Sequence, residues 1–213
     1  MKYPEDFINK VIQGDCLEVM KQMPDKCVDL VLTDPPYGIG MNKHFGSGVE
    51  NIPTIDGDWD NNIPSKEYFD EIFRVSKNQV FFGGNYFTKY LPPTSCWIVW
   101  DKNNGASTFG DGELIWTSFK GALRIHKHHW VGLVSGREDT GMKVHPTQKP
   151  KELITWIIAR FSQKETDLIL DPFLGSGTTA VAAKQLKRNF IGIEISEKYC
   201  EIARGRLRQE ILI

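Results

Sequence analysis

The last third of the chain constrains the fold most. After Pro150, whose missing N–H costs nothing in a first helical turn, Leu153, Ile154, Ile157, Ile158 and Phe161 recur at helical spacing. Asp167-Leu168-Ile169-Leu170-Asp171 then reads as a buried strand, Thr178 to Leu186 as an Ala-rich helix, and Phe190-Ile191-Gly192-Ile193-Glu194 as a second strand. Ser196 is placed to N-cap a last helix carrying Tyr199, Ile202, Ala203 and Leu207. Strand, helix and strand in this order make a βαβ unit, hence a parallel sheet covered by helices. The expectation is an α/β fold.

Upstream, Val28-Asp29-Leu30-Val31-Leu32-Thr33 reads as a short buried strand stopped by Pro35. A helix precedes it, with Leu17, Met20 and Met23 at helical spacing and Pro24-Asp25 at its end. Lys66 to Ser76 has the pattern of a helix, with Tyr68, Phe69, Ile72 and Phe73 on one face. Gln79 to Phe82 and Cys96 to Trp100 read as core strands, and Leu114 to Phe119 with Leu123 to Val134 as the strands of a hairpin. Three irregular segments separate these elements: residues 38–64, Asn103 to Asp111, and Gly136 to Lys149. A long stretch without periodicity inside a compact domain is usually a functional loop. At 213 residues the expectation is one domain, 1–213, with loops 38–64 and 101–149 as insertions.

A formal net charge of −1 leaves nucleic-acid binding to local basic faces. Candidates are Arg124 to Trp130 and the run with Lys143, His145, Lys149 and Lys151; solvated surface explains the first equally well. Cys16, Cys27, Cys96 and Cys200 are dispersed without a C-x-x-C pair, so free thiols are expected. His126, His128 and His129 lack a Cys, Asp or Glu at ligand spacing, and no metal site is expected. The N-terminus lacks the order of a signal peptide, and no apolar run reaches the roughly 18–20 residues of a membrane span. A cytoplasmic protein is the expectation.

Asp171 ends a strand, and Gly175-x-Gly177-x-x-Ala180 follows and opens a helix. In such a turn the glycines let backbone approach a ligand, and the helix N-terminus favours negative charge. Glu194, at the tip of the next strand about 20 residues on, is placed to take ribose hydroxyls. No Lys-Ser/Thr follows the glycines, which excludes a P-loop. A dinucleotide fits awkwardly, because only one strand and one helix follow. S-adenosylmethionine has the adenosine and ribose without phosphate; its carboxylate can use the helix end and its ammonium Asp171.

Asp34-Pro35-Pro36-Tyr37 lies at the end of the earlier strand. Neither proline offers an N–H, and each fixes φ near −65°. The segment thus presents acceptors, the Asp34 carboxylate and the Pro35 carbonyl, in a stiff frame. These suit an exocyclic amine, which has two N–H donors and gains positive charge when alkylated. Tyr37 can stack on a base. Alone, the tetrapeptide is equally a proline-stopped strand with Asp34 capping a turn.

Together the motifs resemble the β group of DNA amino-methyltransferases, in which the catalytic motif precedes the cofactor motif. The resemblance spans nearly the whole chain. It includes Gly14-Asp15-Cys16, Asp34-Pro35-Pro36-Tyr37, His145-Pro146-Thr147-Gln148-Lys149-Pro150 and the run from Asp171 to Thr178. It implies a permuted Rossmann-like fold: a mixed, mostly parallel seven-stranded sheet with helices on both faces. It implies that Asp34, Pro35, Pro36 and Tyr37 are catalytic. It also implies S-adenosyl-L-methionine as cofactor, with Asp15 and Cys16 along its adenine and His145 and Lys149 near its carboxylate. Asp171, Phe173, Gly175, Ser176, Gly177, Thr178 and Glu194 complete the implied cofactor set. Double-stranded DNA is the implied partner, its target base flipped from the stack. Asp rather than Ser at position 34 resembles the adenine-N6 type; cytosine N4 offers the same amine chemistry. No separate recognition domain of about 100 residues is expected within these 213 residues, so reading is expected to fall to loops 38–64 and 101–149, with Trp59 as an anchor, or to a second subunit. Family members are often homodimers. A recognition sequence and a cognate restriction nuclease are not legible in the chain.

Three other readings stand beside this one: a methyltransferase for RNA bases or protein amides, a catalytically silent binding module, and a nicotinamide dehydrogenase. The permuted order and the His145-to-Pro150 motif favour DNA over RNA and protein. Asp34, Tyr37 and Glu194 all being present disfavours a silent module.

Overall fold

A computed structural model describes residues 1–40, 60–105, 110–130 and 148–209. One eight-stranded sheet organises them, in the spatial order β1-β8-β7-β2-β3-β5-β4-β6. The strands are β1 (Lys10–Gln13), β2 (Val28–Thr33), β3 (Ser76–Phe82), β4 (Ile98–Asp101), β5 (Gly112–Thr117), β6 (Arg124–Lys127), β7 (Leu168–Asp171) and β8 (Asn189–Glu194). From β1 to β3 all neighbours are parallel. β5 is antiparallel to both β3 and β4, and β6 is parallel to β4.

The helices are α1 (Cys16–Met20), α2 (Lys66–Val75), α3 (Lys151–Phe161), α4 (Thr178–Gln185) and α5 (Glu197–Gln209). They cover both faces, as the βαβ pattern requires. Alternation along the strands divides the core. Val31, Leu168 and Leu170 pack with Val19, Met20, Phe69 and Ile72 of α1 and α2. Leu30, Leu32 and Ile169 pack with Ile154, Ile157, Ala182 and Ala203 of α3, α4 and α5. The period of two along each strand sends successive side chains to opposite layers.

The winding locates the site. From β2 the chain crosses through α2 to β3 on one side; from β7 it crosses through α4 to β8 on the other. β2 and β7 are parallel neighbours, with Leu30 opposite Ile169 and Val31 opposite Leu170. The strand order therefore reverses between them, and ligands bind beyond the carboxyl ends at such a point. Asp34 follows β2 and Asp171 ends β7, so this topology delivers both motifs to one crevice.

Two expectations are corrected. The strands in segments 114–119 and 123–130 are not a hairpin, residues 131–134 of the expected second strand lying outside the described residues: β5 pairs with β3 and β4, and β6 joins the far edge of β4. Reading neighbours in sequence as neighbours in space failed because the β4–β5 hairpin places β4 between them. The sheet has eight strands rather than seven. β1 was not anticipated, since Lys-Val-Ile-Gln has only two apolar residues; it forms because β8 offers it a parallel edge. Among the described residues no helix is long and apolar enough to cross a membrane.

Candidate active site at the β2–β7 crevice

A cavity of about 980 Å³ lies over the carboxyl ends of β2, β7 and β8 and reaches β5. That is the size range of small-molecule sites. Asp15, Cys16, Asp34, Tyr37, Lys149, Asp171, Phe173, Gly175, Ser176, Thr178 and Glu194 all line it. His145, Lys143 and Trp59 lie outside the described residues.

In the half formed by β7 and β8, Gly175 has φ +55°, and a Cβ there would meet nothing within 4 Å, so the turn offers open backbone to the cavity. Gly177 is required for a different reason. It has φ +89°, and a Cβ would lie 2.7 Å from Ala203 Cβ, so α5 packs directly on the turn. Glu194 braces this turn: its Oε2 accepts from Gly175 N–H at 2.8 Å and its Oε1 from Ser196 N–H at 2.9 Å. A carboxylate has about four lone-pair sites, so two remain for ligand hydroxyls. Asp15 Oδ1 caps α1 through Leu17 N–H, and its Oδ2 accepts from Tyr68 OH. Cys16 is buried, which raises its thiol well above its ordinary pKa and keeps it protonated.

Asp171 is buried and accepts from Thr33 OH at 2.8 Å and Phe173 N–H at 3.1 Å. Burial pushes its pKa up to about 7 against these hydrogen bonds. A carboxylate held this way gains most from a cationic ligand group. At the N-terminus of α4, Arg206 donates to Ser176 O, Ser176 Oγ and Thr178 Oγ1 at 2.9–3.2 Å. Arg206 thereby fixes the start of the helix, whose N-terminus favours an anion at the cavity.

The half formed by β2 and β5 is a charge cluster. Asp34 Oδ1 accepts from Tyr37 OH at 2.5 Å, and Oδ2 from Lys149 Nζ at 2.7 Å. Lys149 also lies 3.4 Å from Glu113 Oε2, and Lys102 lies 2.9 Å from Glu113 Oε1. Burial raises the Asp34 carboxyl. Burial alone would lower Lys149, but Asp34 and Glu113 outweigh it and hold the ammonium charged. Burial would raise Glu113, yet Lys149 and Lys102 bring it below the usual carboxylate range.

Asp60 Oδ1 accepts from Tyr37 N–H at 2.8 Å and Gly38 N–H at 2.9 Å. It consumes the donors that follow the two prolines and leaves the segment facing the cavity with acceptors. The Tyr37 ring stacks on Tyr86 with centroids 4.8 Å apart. Gly83, at φ +62°, permits this: a Cβ there would lie 2.3 Å from the Tyr37 ring.

Lys149 is placed with Asp34, not at the glycine turn. Adjacent residues diverge here, since Gln148 Oε1 accepts from Ser176 OH. Sequence reasoning missed Asp60, Glu113, Lys102 and Gly83, which reach the cavity only through the fold, and Thr33, which adjoins Asp34 but donates to Asp171 on the neighbouring strand. The histidines of the 124–130 cluster are partly engaged. His126 packs 4.3 Å from Trp156, and His129 Nδ1 lies 2.8 Å from Asn103 O. Among the described residues, no group of three or more His, Cys, Asp or Glu could hold a metal ion.

The chain is similar to known proteins. The DNA methylase family N6_N4_Mtase matches residues 89–205. The type II methyltransferase M.HinfI of Haemophilus influenzae is 31% identical, over 96% of this chain and 69% of its own. The M1.HpyAVI–SAM complex has a TM-score of 0.61 and 26% identity, over 93% of this chain and 98% of that one. The cytosine-N4-specific PvuII DNA methyltransferase, at 16% identity and a TM-score of 0.58 over 94% of this chain and 89% of that one, shares the fold. With both motifs meeting at the strand-order reversal, the family model matching over half of the chain and the likeness to M.HinfI spanning nearly all of it, the chain belongs to the N6/N4 DNA methylase family.

Proposed function

We propose that this chain is an S-adenosylmethionine-dependent DNA methyltransferase that modifies the exocyclic N6 of adenine. The observation that carries the reading is the Asp34-to-Tyr37 edge beside the Gly175–Gly177 turn, on parallel neighbouring strands. S-adenosylmethionine supplies an electrophilic methyl group. Glu194 keeps lone pairs for its ribose, Asp171 is suited to its ammonium, and the α4 N-terminus to its carboxylate.

On the acceptor side, Asp34 and the Pro35 carbonyl hold the amine by its two N–H groups. This aims the nitrogen lone pair at the donor and stabilises the positive charge that develops there. The proton leaves the nitrogen after alkylation, and Asp34 is the carboxylate in reach. Tyr37 offers a face on which a base can stack. A paired, stacked base cannot reach this cavity, so the target nucleotide is extruded from the duplex first. Adenine over cytosine rests on Asp, rather than Ser, at position 34.

The test is transfer of a labelled methyl group to duplex DNA by wild type and by Asp34→Ala. Label on DNA with wild type and none with Asp34→Ala supports the reading. No label on any duplex, with label on RNA or protein, would move the substrate class.

A further inference from the structure

The carboxylate assigned to the target amine is already engaged. Asp34 Oδ1 carries the Tyr37 hydroxyl, and Oδ2 carries the Lys149 ammonium at 2.7 Å. An amine that binds Asp34 has to share or displace one of them. Lys149 is the group that must move, and its side chain is only 12% exposed. A buried ammonium that loses its counter-ion is strongly disfavoured, so a second anion has to be within reach.

Glu113 meets that need. Its Oε1 is held by Lys102 at 2.9 Å. Its Oε2 is buried and makes no hydrogen bond, although Lys149 Nζ lies 3.4 Å away. A buried carboxylate oxygen without a donor is uncommon in native proteins and calls for a reason. Moving the ammonium by roughly 0.5 Å turns this contact into an ordinary hydrogen bond. The same movement stretches the 2.7 Å contact with Asp34 Oδ2 to the long end of hydrogen-bond distance, so that an incoming N–H can share that oxygen. It also draws positive charge away from a nitrogen that becomes cationic on alkylation, where a close ammonium would oppose the reaction.

We propose that Glu113 is a positioning residue: it takes over the Lys149 ammonium when the target amine engages Asp34. The proposal rests on the reading of Asp34 as the amine acceptor. Lys102 fixes one Glu113 oxygen and leaves the other for Lys149, so the four charges stay balanced throughout the exchange.

Glu113→Gln keeps the side-chain shape and removes the charge that draws Lys149 away. Single-turnover methyl transfer should slow by about 10- to 100-fold, the worth of one charged hydrogen bond, with S-adenosylmethionine and duplex affinities unchanged. In a Lys149→Met background the same substitution should produce no further loss, because no ammonium is left to compete for Asp34. A wild-type rate for Glu113→Gln overturns the proposal. So does an equal loss in both backgrounds, which would mean that Glu113 acts independently of Lys149. Should Glu113→Gln not fold, Glu113→Asp retains the charge but retracts it. It should give a smaller loss with the same dependence on Lys149, and a wild-type rate would again overturn the proposal. If the wild type itself transfers no methyl to DNA, the reading of Asp34 fails and takes this inference with it. An active wild type with an equally fast Glu113→Gln sinks this inference alone.

Discussion

Glu194 has two tasks that one substitution can separate. Its oxygens accept from Gly175 and Ser196 N–H at 2.8 and 2.9 Å, which ties the glycine turn to the start of the last helix. Its remaining lone pairs are assigned to the cofactor ribose. Glu194→Gln keeps the volume, yet only one of its terminal atoms can accept. One backbone N–H therefore stays paired, and the other faces an amide NH2. A hydrogen bond to a charged group is worth about 1.5–3 kcal/mol when lost. The residue is half-buried, so water recovers part of the turn bond, and the protein without cofactor should lose about 1–2 kcal/mol. The ribose contact should cost a further 1.5–3 kcal/mol of affinity, or roughly 10- to 150-fold in Kd. Urea denaturation reads the first effect and titration calorimetry with S-adenosylmethionine the second. Glu194→Ala removes both turn bonds and should lose more stability than Glu194→Gln. A Glu194→Gln protein that loses stability but binds cofactor like wild type would refute the reasoning and leave Glu194 as a brace only.

Further outcomes follow from the same geometry. Asp34→Ala should abolish transfer while calorimetry shows cofactor affinity largely intact, because its contacts lie with Tyr37 and Lys149 rather than the glycine turn. Gly83→Ala should lower kcat with little change in cofactor Kd: its Cβ would overlap the Tyr37 ring at 2.3 Å, and φ +62° strains any L side chain. Asp171, raised to about 7 by burial, is protonated in part near neutrality. A cationic ligand group favours its charged form, so cofactor affinity should rise through pH 6–7 with proton uptake by buffer, and Asp171→Asn should abolish that slope. The sign for stability is opposite. The folded pKa exceeds the unfolded one, so without cofactor this group's contribution falls as pH rises from about 4 to about 7, and Asp171→Asn should flatten that loss in melting curves.

Local pattern carried the parallel half of the fold. Val28 to Thr33, 167–171 and 190–194 are apolar runs, the first two stopped by Pro35 and Pro172, and a βαβ unit leaves one arrangement for the last two. The antiparallel half was less legible, because pairing there depends on which strand edge is free. β6 was misassigned for that reason, and β1 has too few apolar residues to announce itself. The site divides likewise. Asp34 to Tyr37 and Asp171 to Thr178 are contiguous motifs whose chemistry can be read from residue type. Glu113 and Asp60 act from distant segments, and only the fold brings Glu113 to Lys102 and Lys149 and Asp60 to the Tyr37 N–H. The contact of Lys149 with Asp34 was not legible in the sequence. Consecutive residues there point to opposite halves of the cavity, which spacing alone cannot assign.

The most direct test of the account is mass spectrometry of nucleosides from duplex DNA incubated with the protein and methyl-labelled S-adenosylmethionine. The account predicts labelled N6-methyladenine that disappears with Asp34→Ala. Labelled N4-methylcytosine would contradict the base assignment, and no labelled nucleoside in any duplex would contradict the proposed reaction itself.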